Sequence, residues 1–277
     1  MAETLTTRVG DIEVIAVTDG ATEFTPGMFL NTSEDEISEI LEAAGESEIR
    51  TNFNAFFLRG PQGITMVDSG RGHLAGPGGS NLEAAMAELG IAPGDVTRLV
   101  FTHLHPDHIG GAITAEGAAV FPDAEVTFSE LEQAFWSDGS AYSGQEPMES
   151  WFKVAGSMLA AYKDRIVTFA GTDGAEVAPG ITAIPLHGHT PGHTGFRVSD
   201  GDDQLVLAAD IAHAQILQFA NPEICVGFDI DPEAAGKARK RALDMLATDG
   251  IRFSGGHILG PDKFVTVARS GIGYKTL

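Results

Sequence analysis

Four side chains able to bind a metal, His103, His105, Asp107 and His108, fall within six residues of the stretch Phe101-Thr-His-Leu-His-Pro-Asp-His-Ile-Gly110. Buried imidazoles and a buried carboxylate cost several kcal/mol of desolvation unless they are hydrogen-bonded or bound to a cation, so packing alone does not account for such a cluster. A divalent metal does. If these residues run as a loop, His103 and His105 turn one way while Asp107 and His108 turn the other, which is what two adjacent metals need. The competing reading is a polar loop whose histidines meet only water and backbone; the spacing favours the metal.

Further candidates follow other stretches that read as strands: Asp68 after Ile64 to Val67, then Leu186-His-Gly-His-Thr-Pro-Gly-His193, Leu207-Ala-Ala-Asp210 and Gly256-His257. The last three sit beside small residues. Glycine lets the backbone approach closely, so such strand ends can gather distant ligands at one edge of a sheet.

The elements that must position these residues are legible from turns and periodicity. Val9 to Gly20 reads as a strand pair bounded by Gly-Asp and Asp-Gly turns. Phe24 to Phe29 is a loop whose apolar residues pack beneath it or rim a pocket. Ser33-Glu-Asp-Glu36 is a capping box opening a helix that ends at Gly45, and Ser80-Asn-Leu-Glu83 opens another that ends at Gly90. Asn52 to Arg59 and Ile64 to Val67 form a hairpin, and Thr97 to Thr102 is a strand leading into the ligand cluster. A strand at Glu125 to Phe128 precedes two helices, Leu131 to Trp136 and Met148 to Tyr162, whose aromatic residues are either core or the wall of a pocket. Short strands return at Ile166 to Phe169, Ile181 to Leu186, Gly195 to Val198 and Leu205 to Ala209. A helix capped by Asp231 with Pro232 in its first turn comes next, then a last strand near Ile251 to Ser254. Strands followed by helices occur twice, which fits a two-layer sheet core covered by helices better than a doubly wound parallel sheet.

Composition narrows the function. The 277 residues suffice for a substantial core, and 43% apolar with 20% charged residues is ordinary for a globular enzyme. A net charge of −22 argues against nucleic acid and anionic membrane as partners, because both draw affinity from Lys and Arg. The lone Cys225 can form no intramolecular disulfide. The N-terminus lacks a basic start and an apolar run, and no segment approaches the roughly 20 apolar residues of a membrane span, so a cytoplasmic location is expected.

Asp68, His-Leu-His-Pro-Asp-His at 103–108, Gly-His-Thr-Pro-Gly-His at 188–193, Asp210 and His257, in that order, resemble the metallo-β-lactamase superfamily over nearly the whole chain. The resemblance implies a single domain over residues 1–277 of α/β (α+β) type, an αββα sandwich in which two β-sheets are flanked by helices. It implies that His103, His105 and His189 hold one zinc, that Asp107, His108 and His257 hold a second, and that Asp210 bridges both. Spacing alone does not choose between His189 and His193; the family pattern puts the ligand before the Thr-Pro-Gly turn, leaving His193 behind the ligands or in the pocket wall. Asp68 would orient a ligand imidazole or cap a turn, and His213 would lie near the site. His187, His213 and His73 match no ligand position and read as ordinary hydrogen-bonded histidines.

Phe121-Pro-Asp-Ala-Glu125, Phe135-Trp136, Asp210-Ile-Ala-His213 and Phe228-Asp-Ile-Asp231 are similar to the branch containing methyl parathion hydrolase and related lactonases. The expected activity is hydrolysis of a small ester-like bond, most plausibly a lactone or other carboxylic ester, by hydroxide bridging the metals. Asp107 or a metal-bound water would carry a proton to the leaving group, and Asp210 would join the two metals. A phosphotriesterase is the rival enzyme, and a non-catalytic metal-binding or interaction protein is the rival of another class. Two Zn2+ are implied, and the same donors accept Mn, Co or Fe. The expected partner is a small-molecule ester-like substrate, and a homodimer is compatible with the chain.

Overall fold

The structure, a computed structural model, describes residues 3–277. Met1 and Ala2, the start of the segment read for an export signal, lie outside the described residues. In chain order the first half gives β1 (Glu3–Val9), β2 (Ile12–Phe24), β3 (Phe29–Leu30), α1 (Glu34–Ala44), β4 (Ile49–Gly60), β5 (Gly63–Val67), α2 (Leu82–Leu89), β6 (Val96–Val100), α3 (Pro106–Ile109), β7 (Glu125–Ser129), α4 (Glu130–Trp136), α5 (Met148–Ala161) and β8 (Ile166–Phe169). The second half gives β9 (Glu176–Ala178), β10 (Ile181–Pro185), β11 (Thr194–Asp200), β12 (Asp203–Leu207), α6 (Gln215–Ala220), β13 (Cys225–Val226), α7 (Pro232–Asp249), β14 (Phe253–Ser254), β15 (Val267–Ser270) and β16 (Gly273–Thr276).

Two sheets form the middle of the molecule. The first has the order β1-β2-β4-β5-β6-β7-β8, antiparallel as far as β5 and parallel beyond it; the second has the order β14-β12-β11-β10-β9. Side chains alternate between the faces of a strand, and both faces are buried in the middle of the first sheet, where β2 and β4 pair. Val14, Ala16, Phe56 and Leu58 meet Ala183, Phe196, Val198 and Leu205 of the second sheet. Their neighbours Ile15, Val17, Ala55 and Phe57 meet Leu82, Ala85, Met86, Phe152 and Met158 of α2 and α5. On the outer face of the second sheet, Leu186, Val206 and Phe253 pack against Leu243 and Leu246 of α7. This is the expected αββα sandwich.

Some expectations needed correction. The turn at Gly10-Asp11 forms, but Asp19-Gly20 is not a turn: β2 runs on to Phe24 with only a register shift between Thr18 and Gly20. Asp19 is fully buried, and its carboxylate accepts from the backbone N–H groups of Arg71, Asn81 and Leu82. It is therefore committed to distant partners rather than to a local turn. The short elements β3, β9, α6, β13, β15 and β16 were not read from the sequence, being too brief to show a period.

Candidate metal centre

Strand direction explains how distant residues meet. β5 and β6 are parallel, so Asp68 and the 103–108 segment leave the first sheet at the same edge. In the second sheet β12 is parallel to β14 and antiparallel to β11, which is antiparallel to β10. His189, Asp210 and His257 consequently emerge in a common direction. Asp68 (φ 55°) and Ala209 (φ 48°) both adopt left-handed backbone, a strain of about 1–3 kcal/mol each that recurs at functional sites.

The ligand stretch is only partly a loop. Pro106–Ile109 form one helical turn with His105 at the N-cap position, favoured because Pro106 lacks an N–H and presets a helical φ. The donor atoms nonetheless divide in two. His103, His105 and His189 form one group and Asp107, His108, Asp210 and His257 another, each with its donor atoms within 4.8 Å of one another. His189, Asp210 and His213 make a third such group.

Asp210 Oδ2 is the focus. The Nε2 atoms of His257, His108, His213, His189 and His103 lie 3.0, 3.1, 3.2, 3.6 and 3.7 Å from it. Asp107 Oδ2 lies 3.5 Å from His108 Nε2 and 3.6 Å from His257 Nε2. Gly256 makes this closeness possible, since a Cβ there would stand 2.4 Å from Asp210 Oδ1. Asp107 is the accessible member, its side chain 26% exposed against 3% or less for the five histidines around Asp210 Oδ2.

The far nitrogens fix where the protons are. His108 Nδ1 faces Asp68 Oδ2 at 2.9 Å, His189 Nδ1 faces Asp229 Oδ1 at 2.7 Å, and His257 Nδ1 faces the Asn52 carbonyl at 2.6 Å. Each partner only accepts, so each Nδ1 carries the hydrogen. Thr102 Oγ1 donates to Asp68 Oδ2, which leaves it to accept from His103 Nδ1 at 3.0 Å. Four Nε2 lone pairs therefore converge on a carboxylate. Burial and the neighbouring His108 hold His103 well below the usual imidazole pKa, and burial with His189 does the same to His105. Burial also opposes protonation of His108 and His257, but Asp210 and the other nearby acids outweigh it and raise both. Protons can relieve the contacts of His108 and His257 but not that of His103. The buried His105 Nε2, His189 Nε2 and Asp210 Oδ1 have no hydrogen-bond partner. Acceptors facing acceptors around a buried carboxylate fit divalent cations.

The remaining candidates separate by their bonds. His193 Nδ1 lies 2.9 Å from the Leu186 carbonyl, and its Nε2 accepts the Asp210 backbone N–H at 3.0 Å. Both nitrogens are spent on backbone, and burial with the nearby His189 pushes its pKa down to about 3, so it stays neutral. Asp68 binds the His108 ring and the Thr102 N–H, holding the imidazole from behind. His213 Nδ1 has no partner while its Nε2 faces Asp210. Of the unmatched histidines, His73 Nδ1 meets the Ile113 carbonyl, and His187 Nε2 finds no partner.

Sequence reasoning missed several supports. Asp229, which holds His189, was visible only as part of Phe228-Asp-Ile-Asp231. Glu132 and the Asn52 carbonyl gave no signal. The aromatic helices are both core and wall: Trp136 is buried, while half-buried Trp151 stands 4.8 Å from the His105 ring. Phe228 is 4.9 Å from His213, and Phe24 of the N-terminal segment packs on Phe228.

Residues 51–257 match the family model of the metallo-beta-lactamase superfamily. The N-acyl homoserine lactonase AttM of Azorhizobium caulinodans is 30% identical over 200 residues, 62% of this chain and 69% of that protein. An N-acyl homoserine lactonase of Bacillus thuringiensis is 24% identical over 250 residues, 86% of each chain. Among solved structures, the hydrolase AbOPH of the beta lactamase superfamily superposes with a TM-score of 0.90 at 26% identity, covering 100% of this chain and 97% of that one. The dizinc quorum-quenching lactonase AidC gives 0.91 at 23% identity with the same coverage, which speaks to the fold. The chain belongs to the metallo-β-lactamase superfamily, and the expectation of a metal-dependent hydrolase with a dinuclear site is borne out. No helix among the described residues is long and apolar enough to cross a membrane.

Proposed function

We propose that this chain is a dizinc lactonase that opens the ring of N-acyl homoserine lactones or lactones of similar size, on one domain spanning residues 1–277. The observation that carries this reading is the sharing of Asp210 Oδ2 between two groups of donors. His103, His105 and His189 would hold one zinc, Asp107, His108 and His257 the other, and Asp210 would bridge them. Divalent cations held there would supply an acidified water and polarise the ester carbonyl.

The chain's own residues do the rest. Asp68, Asp229 and the Asn52 carbonyl lock ring orientation and leave each Nε2 free. Burial would raise the Asp107 pKa, but His108 and His257 hold it below the usual carboxylate range. It is ionised and accessible, so it can take a proton and give it to the far more basic leaving alkoxide. Trp151, Phe228 and Phe24 present an apolar aromatic surface beside the donors, suited to the non-reacting part of a small apolar ester.

A phosphotriester is the less favoured substrate, because the relatives compared by sequence are named as lactonases. Purified protein assayed on N-acyl homoserine lactones, other lactones, aryl esters and methyl parathion, with and without chelator, tests the reading. Chelator-sensitive lactone hydrolysis is expected to exceed every other activity. Faster turnover of the phosphotriester would overturn the substrate assignment.

A further inference from the structure

Glu132 on α4 is fully buried, lies outside both donor groups, and takes no part in the chemistry described above. Its carboxylate accepts four hydrogen bonds. Oε2 takes the Leu104 backbone N–H at 3.1 Å and the Trp136 indole N–H at 2.8 Å; Oε1 takes the Gly192 backbone N–H at 2.8 Å and the Thr190 hydroxyl. Leu104 stands between His103 and His105, and Thr190 and Gly192 follow His189. One side chain thus ties together the two chain segments that carry the first donor group, and none of these four hydrogen bonds goes to the 107–108 segment or the 257 loop.

The approach is close by construction. A Cβ on Gly192 would lie 2.5 Å from the Glu132 backbone N, so the turn after His189 and the start of α4 can meet only through glycine. The indole fixed by Glu132 in turn packs edge-on against the ring of His105, at a centroid distance of 5.5 Å. Three of the four partners, the Leu104 and Gly192 N–H groups and the Trp136 indole, can only donate, so the side chain must accept on both oxygens and an amide would set a donor against a donor.

We propose that Glu132 is a positioning residue that sets the spacing of His103, His105 and His189 and thereby the cation affinity of that group alone. The inference rests on the two-group reading of the metal centre. Partners lying behind metal ligands typically govern affinity by about 10–100-fold, and Asp68 supplies the comparison because it holds His108 of the other group directly and reaches His103 only through Thr102.

The test titrates Co2+ into metal-stripped full-length protein and follows the visible absorption and heat of each binding step, for the wild type, Glu132→Gln and Asp68→Asn. Glutamine keeps the shape but places an amide donor against donors. The expected result is two steps in the wild type, one weakened about 10-fold or more by E132Q, and the other weakened more than the first by D68N. If E132Q fails to fold, Thr190→Val, which removes a single donor, must show a weakening confined to the same step. Two undisturbed steps in E132Q, or equal weakening of both, would overturn the inference while leaving the dinuclear reading intact. A wild-type chain that takes up fewer than two equivalents would overturn both.

Discussion

Asp210 has the most partners of any side chain in the centre, and removing it leaves the surrounding imidazoles with nothing to share. Asp210→Ala is expected to lower bound metal and abolish hydrolysis by the folded protein; near-normal activity would contradict the bridging role. His189 and His193 are only four residues apart, yet their bonds give them different tasks. His189→Ala should lose about one metal equivalent, whereas His193→Ala should keep both while costing roughly 1–3 kcal/mol for the buried groups it leaves unpaired. Elemental analysis with urea unfolding distinguishes them, and the reverse pattern would exchange the assignments. Asp229 yields a pH test. Burial would raise its pKa, but the hydrogen bond and charge of His189 outweigh this and bring it to about 2 from 3.8. A depressed carboxyl pKa stabilises the fold above the unfolded value and loses that contribution as pH falls through the folded one. With chelator present, the wild type should exceed Asp229→Asn by roughly 2 kcal/mol above about pH 4, the gap closing toward pH 2. A gap that persists at pH 2 would count against an ionised Asp229. The ligand candidates were legible because four of them crowd six residues. Glu132 and Asp229 were not, because a lone acid in a helix or loop reads as surface until its donors are known.

Helix starts show where local rules suffice and where they stop. Ser33 caps α1 as its capping box implies, accepting the Glu36 N–H, and Asp231 caps α7 by accepting the Ala234 N–H. The second capping box fails: α2 begins at Leu82, and the principal cap is Asp19, more than sixty residues earlier on β2. Ser80 is recruited by the same carboxylate. A cap supplied by another strand leaves no mark in the sequence around the helix. Asp19→Ala should destabilise the protein by about 2 kcal/mol or more, since it removes a cap and strands several buried donors. The metal content of the folded fraction should be unchanged. A loss below about 0.5 kcal/mol in urea unfolding would mean that water replaces the carboxylate.

For the molecule as a whole, the repeated order of strands then helices was enough to anticipate two sheets covered on their outer faces, because each sheet must bury both faces. What the order did not reveal is that parallel pairs in both sheets, β5 with β6 and β12 with β14, aim their ends at one place. That convergence turns scattered histidines into two donor groups around a single oxygen. Titrating Zn2+ into metal-stripped protein while recording bound equivalents and lactone hydrolysis together tests this most directly. Hydrolysis is expected to need two equivalents per chain and to vanish again with chelator. Full activity at one equivalent, or hydrolysis indifferent to chelator, would contradict a shared two-metal centre.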